Sequence, residues 1–427
     1  MEHNMEDIEE EQRHFAEVIS TFKHYAQHAL SANNRRRKDV YLLPKADQDI
    51  LEKLGYKKKL DETDKAIIAN ADFLAQIVDD PQIFGHELPD EEDGGEEEDH
   101  GQSHSHAYGP SHDHNHGSHS HAHTRGGDGG HHQHSNHSDP RSRARVGHHG
   151  GHGHTHDRPR KFRPTESDMD KLRSTLKQLV RDWSEEGKAE RDVCYKPMIE
   201  ALVQHFADVS AEDRRKVKVL VPGSGLGRLS WDVAHLGFAC QANEFSHYML
   251  LTSYFVLNKT AQIKQHTFHP YVHSFSNAPN KESILQKISI PDVNPSDLPP
   301  GSDFSLVAGD FEEIFDNEEQ DGQWDAVLTC FFIDTAKNIV NYLRILHRIL
   351  RPGGVWINLG PLLWHWENNT TNDISIELDM EEVKTLAKEI GFEISNERTI
   401  DTTYTNNAQS MLGYVYNASF WTATKIN

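Results

Sequence analysis

The residues whose types and spacing could do chemistry fall in a few short stretches of the second half of the chain. The first is Gly223-Ser224-Gly225-Leu226-Gly227, with glycines at alternate positions. It follows the β-rich run Val217, Val219, Leu220 and Val221 and precedes the helical pattern Leu229, Val233, Leu236. Strand, glycine turn and helix let a ligand lie against the strand, because glycine has no Cβ and adopts φ > 0. The second is Glu244, which closes a short strand over 239–242 and its Asn243, about 20 residues beyond the glycines. A nucleotide-binding crossover places its ribose-binding carboxylate there, and both ribose hydroxyls can donate to it. Without Glu244 the glycines would fit any strand-to-helix turn. The third is Asp310-Phe311, at the end of a strand pattern over 304–311. Asp310 could accept from an adenine amino group while Phe311 lies on the ring; the plainer reading of Asp310 is a cap before Glu312-Glu313. The fourth is the strand over 324–335, which carries Cys330 and Asp334. Cys330 has no cation near it in sequence to lower its pKa and reads as a wall residue, so Asp334 is the stronger reactive candidate.

The glycine pattern also separates two cofactors. G-x-G-x-G followed by Arg228 replaces the last glycine of G-x-G-x-x-G by a basic residue, which disfavours close packing over a pyrophosphate. S-adenosylmethionine has no phosphates, and the pattern favours it over NAD.

The elements that must position these residues follow a doubly wound rhythm. A helix with Met169, Leu172, Leu176, Leu179, Val180 and Trp183 on one stripe starts after Glu166-Ser167-Asp168, leaving Gln178 and Arg181 toward its other side, where alone they would be ordinary surface. A second helix over 195–206 leads into the glycine crossover, and a third spans 248–257. A long irregular insertion with Pro291, Pro295, Pro299 and Pro300 follows. A helix over 338–350, closed by Arg351-Pro352-Gly353-Gly354, precedes a fifth strand over 355–361. The fold class is α/β, a Rossmann-like sheet with an N-terminal helical region and a disordered His-rich insertion.

Residues 1–88 form the helical region, with Phe15, Val18, Ile19 and Phe22, then Ile67, Ile68, Phe73, Ile77 and Val78 at helical spacing, and are expected to cap the later domain. Arg35-Arg36-Arg37-Lys38 interrupts them, as a localisation or anion-binding patch or, more simply, a solvated loop. Residues 89–158 run from acidic to His-rich and hold more than half of the 31 histidines, so this linker cannot build a core. Its alternating imidazoles (His104, His106, His112, His114, His116) suit weak binding of zinc, nickel or copper, and a permissive low-complexity insertion explains them equally well. No catalytic metal is expected. Residues 159–427 form the catalytic domain. The net charge of −23 disfavours a nucleic-acid surface. Three scattered cysteines point to a reducing compartment, and no apolar run is long enough to cross a bilayer. A soluble, intracellular protein is expected.

From about Phe162 to Lys425 the chain closely resembles the carnosine N-methyltransferase family, in LKQLVRDWSEEGKAERD, VPGSGLGRLSWDVAHLGF, NEFSHYML, GDF, FFIDTA and LGPLLWHW. The resemblance implies transfer of a methyl group from S-adenosylmethionine to the imidazole Nπ of carnosine, giving anserine and S-adenosylhomocysteine. It implies that Gln178, Arg181, Gly223, Gly225, Glu244, Asp310, Phe311 and Cys330 line the cofactor. Asp334, His365, Tyr404 and Tyr416 would hold the dipeptide, Asp334 and His365 as the catalytic pair. It further implies a homodimer in cytoplasm and nucleus. The His-rich insertion departs from the family's pattern and bears on linker geometry rather than chemistry. Two rivals stay open: a methyltransferase acting on histidine in other peptides or proteins, and an inactive metal-binding scaffold.

Overall fold

Val219, Leu220 and Val221 are buried on both faces of β1 (Lys218–Pro222), an interior strand of a seven-stranded sheet in the computed structural model. A strand covered on both sides reads as an unbroken apolar run, which is why this stretch was legible. The structure describes residues 2–79 and 162–426. Beside β1 lie β2 (Ala239–Glu244) and then β5 (Phe304–Ala308), all parallel. On its other side are β6 (Trp324–Cys330) and β7 (Leu350–Gly360), also parallel. Two antiparallel strands, β9 (Tyr416–Lys425) and β8 (Phe392–Thr402), complete the order β5-β2-β1-β6-β7-β9-β8. The chain steps outward from β1 to β5 and returns to the other side at β6. That reversal opens a crevice beyond the carboxyl ends of β1 and β6, where open α/β sheets bind ligands.

Alternation along the strands divides the core. Val219 and Val221 pack with Tyr195, Met198 and Leu202 of α5 (Lys188–His205) and Leu229 and Val233 of α6 (Arg228–His235). Leu220 and Val327 pack on the opposite face with α9 (Phe311–Phe315), α10 (Ile339–Ile349) and α11 (Met380–Ile390). A third core joins α1 (Glu2–Tyr41) and α3 (Tyr56–Ile77) to α4 (Glu166–Trp183) and α7 (His247–Lys259). In it Phe22 stacks 5.9 Å from Tyr248, and Phe73 stacks 5.1 Å from Phe268. Each such buried aromatic contributes about 1.5–3 kcal/mol. Residues 2–79 and 163–426 fall in one compact unit; the second unit, His116–Phe162, lies outside the described residues except for Phe162. The linker boundaries at 89 and 158, and the metal-binding reading of the His-rich tract, also lie outside them.

The structure departs from three of these expectations. Arg35 to Lys38 do not interrupt the helices, since α1 runs through them. Arg37 pairs with Asp61 and Asp64 of α3, and Arg36 donates to the His273 carbonyl, so these cations staple α1 to its neighbours. The insertion before Asp310 is not irregular throughout. It contains β3 (His266–Phe268), α8 (Lys281–Ile284) and β4 (Ile288–Ile290), with β3 and β4 paired antiparallel and buried in the third core. Finally, Arg351 to Gly354 belong to β7, whose pairing with β6 shifts register between Trp324 and Ala326. Among the described residues no helix is long and apolar enough to cross a membrane.

Candidate active site

At the carboxyl end of β1, Gly223, Gly225 and Gly227 have φ of 61°, 56° and 78°, a region costly for side chains with a Cβ. A Cβ on Gly223 would stand 2.4 Å from Phe332 Cδ2, and one on Gly225 would stand 3.4 Å from Gln178 Nε2. The turn is therefore bare because it has to be. Arg228, which follows it, points away from the turn. Its guanidinium pairs with Asp232 and Asp292 and donates to the Asp182 carbonyl.

Glu244 folds back over this turn. Its Oε2 accepts from Gly225 N at 2.8 Å, and its Oε1 accepts from Phe245 N and Ser246 N, both at 2.9 Å. Burial pushes the carboxyl up, and the amides of Ser246, Gly225 and Phe245 pull it back. A carboxylate offers about four acceptor sites, so Glu244, which is not fully buried, keeps one for a ligand hydroxyl. Asp310 caps α9, and both bonds, from Glu312 N at 2.8 Å and Glu313 N at 3.4 Å, go to Oδ1. Its Oδ2 takes neither. The cap reading and the ligand reading are thus compatible. Phe311 is only 3% exposed, in a cluster with Phe315, Phe332 and Tyr342, directly after the Asp310 cap.

Gln178 and Arg181 are not surface, as α4's stripe suggested; they are 4% and 3% exposed. Tyr195 of α5, the glycine turn, Phe331 and Tyr404 cover the far side of α4, which a period in the helix's own sequence cannot reveal. Arg181 Nη1 donates to Asp182 Oδ1 at 3.1 Å and to Tyr195 Oη at 2.6 Å, and its guanidinium lies 4.8 Å from the Tyr404 ring centre. Burial opposes this charge, but Tyr195 and Asp182 hold it firmly protonated. Its Nη2 makes no hydrogen bond among the described residues although it is buried. Gln178 Nε2 donates to Asp182 Oδ2 at 3.1 Å. Asp182, fully buried, therefore aims both side chains and was not singled out from sequence; neither was Tyr195. Cys330 does have a cation near it in space, Arg181, contrary to the sequence reading. Burial still pushes its thiol up to about 12, so it remains a wall residue.

Asp334 lies beyond β6, in a single 3-10 turn over Ile333–Thr335, and is 3% exposed. Its Oδ2 accepts from Leu363 N at 2.8 Å, and its carbonyl accepts from His365 N at 3.1 Å. Trp366 Nε1 donates to the Thr335 carbonyl at 3.1 Å, so the loop after β7 is knitted to this turn and brings His365 beside Asp334. Burial pushes the Asp334 carboxyl up to about 7, partly offset by backbone amides. Tyr416, at the start of β9, feels it: its hydroxyl is raised by burial and then by the Asp334 charge.

Phe331 joins the two halves. It adopts φ of 54° directly after Cys330, rare for a bulky side chain and often a mark of a functional constraint. Its ring centre lies 4.7 Å from Tyr404, 5.7 Å from Tyr416 and 6.0 Å from the Arg181 guanidinium. A positive φ leaves no trace in sequence, and Phe331 was not singled out. One contiguous wall thus runs from Glu244 and Gly225 through Gln178 and Arg181 to Tyr404, Phe331, Tyr416 and Asp334.

These residues fit S-adenosylmethionine. The glycine turn presents bare backbone at the carboxyl end of β1, Glu244 has an acceptor for a ribose hydroxyl, and Asp310 Oδ2 has one for an amino group. The unmet Nη2 of Arg181 suits an amino-acid carboxylate. Among the described residues, no cluster of three or more His, Cys, Asp or Glu side chains forms a metal site.

The chain is 50% identical over 259 residues to the carnosine N-methyltransferase of Mus musculus, covering 60% of this chain and 64% of that protein. It is 46% identical over 262 residues to the Schizosaccharomyces pombe protein of the same name, covering 59% and 70%. The match thus spans under two thirds of the mouse protein's length. A solved S-adenosylmethionine-dependent methyltransferase from Aquifex aeolicus is similar at 13% identity, covering 60% of this chain and 98% of that one, with a TM-score of 0.34. Because the family model for carnosine N-methyltransferase matches residues 159–427, the chain belongs to the carnosine N-methyltransferase family.

Proposed function

We propose that the protein transfers a methyl group from S-adenosylmethionine to the imidazole Nπ of carnosine, giving anserine and S-adenosylhomocysteine. The observation that carries this reading is Asp334: a buried carboxylate poised near neutrality, beside Tyr416 and His365, in the turn whose first flanking residue, Phe332, lies against Gly223. When bound, S-adenosylmethionine supplies an activated methyl group. Glu244, Asp310 and the glycine turn hold its nucleoside end, and Arg181 and Gln178 hold its amino-acid end.

Neutral imidazole needs no strong base to become a nucleophile, because one ring nitrogen already has a free lone pair. What it needs is the right tautomer, held still. Asp334 accepts a hydrogen bond from the other ring nitrogen, which fixes the tautomer, aims the free lone pair and stabilises the imidazolium that forms. Phe331, Tyr404 and Tyr416 wall the ring, and His365 offers a second polar contact to the dipeptide. Most of the acceleration comes from orientation in this dry corner. The homodimer and the cytoplasmic and nuclear location belong to the same reading; light scattering and imaging of the tagged full chain test them.

Methyl transfer from labelled S-adenosylmethionine to carnosine, beside free histidine, homocarnosine and a histidine-containing protein extract, tests the proposal. Label in carnosine, at Nπ by NMR, supports it. Label only in protein would replace carnosine by histidine in protein chains.

A further inference from the structure

We infer that Glu190 is a positioning residue that latches the dipeptide side of the site to the cofactor side. The inference rests on the reading of Tyr404 as a dipeptide-binding residue. Tyr404 belongs to the connection between β8 and β9, residues 403–415, long enough to wander if nothing held it. Residues at its far end, Met411, Tyr414 and Val415, are exposed. Its near end is held by one carboxylate on α5. Glu190, with its side chain only 11% exposed, accepts from the Thr403 hydroxyl at 2.5 Å, from Thr405 N at 2.7 Å and from Asn406 N at 3.1 Å.

The backbone at this point needs the help. Thr405 adopts φ of 51°, a conformation that a β-branched residue enters only when its surroundings impose it. Bonds from two amides and a hydroxyl to an anion are the strong kind, and they converge on this turn. The turn sets the Tyr404 ring against Phe331 and over the Arg181 guanidinium. Glu190 also lies 3.5 Å from Arg181 Nε, so the same carboxylate touches both halves of the wall. Arg181 keeps Asp182 and Tyr195 without it, whereas three bonds from the Tyr404 turn end on this one carboxylate. Loss of Glu190 should therefore fall mainly on the dipeptide.

The test uses the full chain and Glu190→Gln, which keeps the shape but presents an amide N–H₂ toward groups that donate. Hydrogen exchange should show the Thr405 and Asn406 amides protected in the parent protein and at least tenfold faster in the variant. The KM for carnosine should rise about tenfold or more, with S-adenosylmethionine affinity changed less than threefold. Thr405→Asn, which suits positive φ better, should recover part of the lost KM in the Glu190→Gln background and leave the parent near its starting value. Unchanged exchange at Thr405, or an equal loss for both ligands, would overturn the latch. A parent protein that binds S-adenosylmethionine but leaves carnosine unlabelled would instead overturn the substrate reading, and the exchange result would still decide whether Glu190 holds the turn.

Discussion

Asp334 is the residue from which pH behaviour is expected. Its carboxyl is raised by burial from an ordinary 3.8 to about 7, so the folded protein holds that proton more tightly than the unfolded chain does. The stability this proton contributes is full below about pH 4 and is lost as pH rises through about 7. Asp334→Asn mimics the protonated form and removes the cost. Its melting temperature should exceed the parent's by several degrees at pH 8, with the gap closing toward pH 4; calorimetry across that range checks it. Catalysis runs the other way. On the proposed reading, methylation needs Asp334 ionised and the substrate imidazole neutral, so kcat/KM should fall on the acid side of about pH 7. A flat profile down to pH 5 would remove Asp334 from the proton inventory. At this scale the sequence exposed residues whose type announces chemistry at a strand end: Glu244, Asp310, Asp334. It did not expose Asp182, Tyr195, Glu190 or Phe331, because what makes them matter is burial against distant elements or a backbone angle.

Between elements, the site depends on a buried pair of cations sharing one acid. Asp292, from the segment after β4, accepts from Arg191 of α5 at 2.5 Å and from Arg228 of α6 at 2.6 Å. The same two arginines donate to the carbonyls of Arg181, Asp182 and Ser184 around the end of α4. This joins the helix that carries Gln178 and Arg181 to the helix that follows the glycine turn. Asp292→Ala would leave the buried Arg191 guanidinium without its acid and Arg228 with Asp232 alone, a cost of about 3–5 kcal/mol. Chemical denaturation should show that loss, and S-adenosylmethionine affinity should fall with it. A variant as stable as the parent would mean water replaces the carboxylate. Arg228 illustrates how far sequence carried: it correctly spoke against a pyrophosphate turn, but its partner lies in an insertion whose order no periodicity revealed.

Across the whole molecule, the stretch that matches the family is not a self-sufficient core. Phe15, Val18, Phe22 and Tyr25 of α1 and Phe73, Leu74 and Ile77 of α3 share one apolar cluster with Leu172, Leu176, Tyr248, Phe255 and Phe268. Removing residues 1–79 would open the surfaces of α4, α7 and β3 to water at about 25 cal/mol per Å² of apolar area. A chain starting at 159 should aggregate or melt far below the full protein, and soluble expression with thermal melting checks this. Helical periodicity showed that the N-terminal residues form helices and would cap the domain. That they complete a core shared with α4 depends on three-dimensional contact, which one-dimensional spacing cannot specify.

The most direct test of the central claim is the rate of methyl transfer to carnosine by the full chain and by Asp334→Asn, measured at pH 8 with S-adenosylmethionine affinity determined in parallel. We expect anserine from the parent, and a variant at least about 100-fold slower whose cofactor affinity is nearly unchanged. A variant as fast as the parent would contradict the assignment of Asp334 as the group that orients the imidazole.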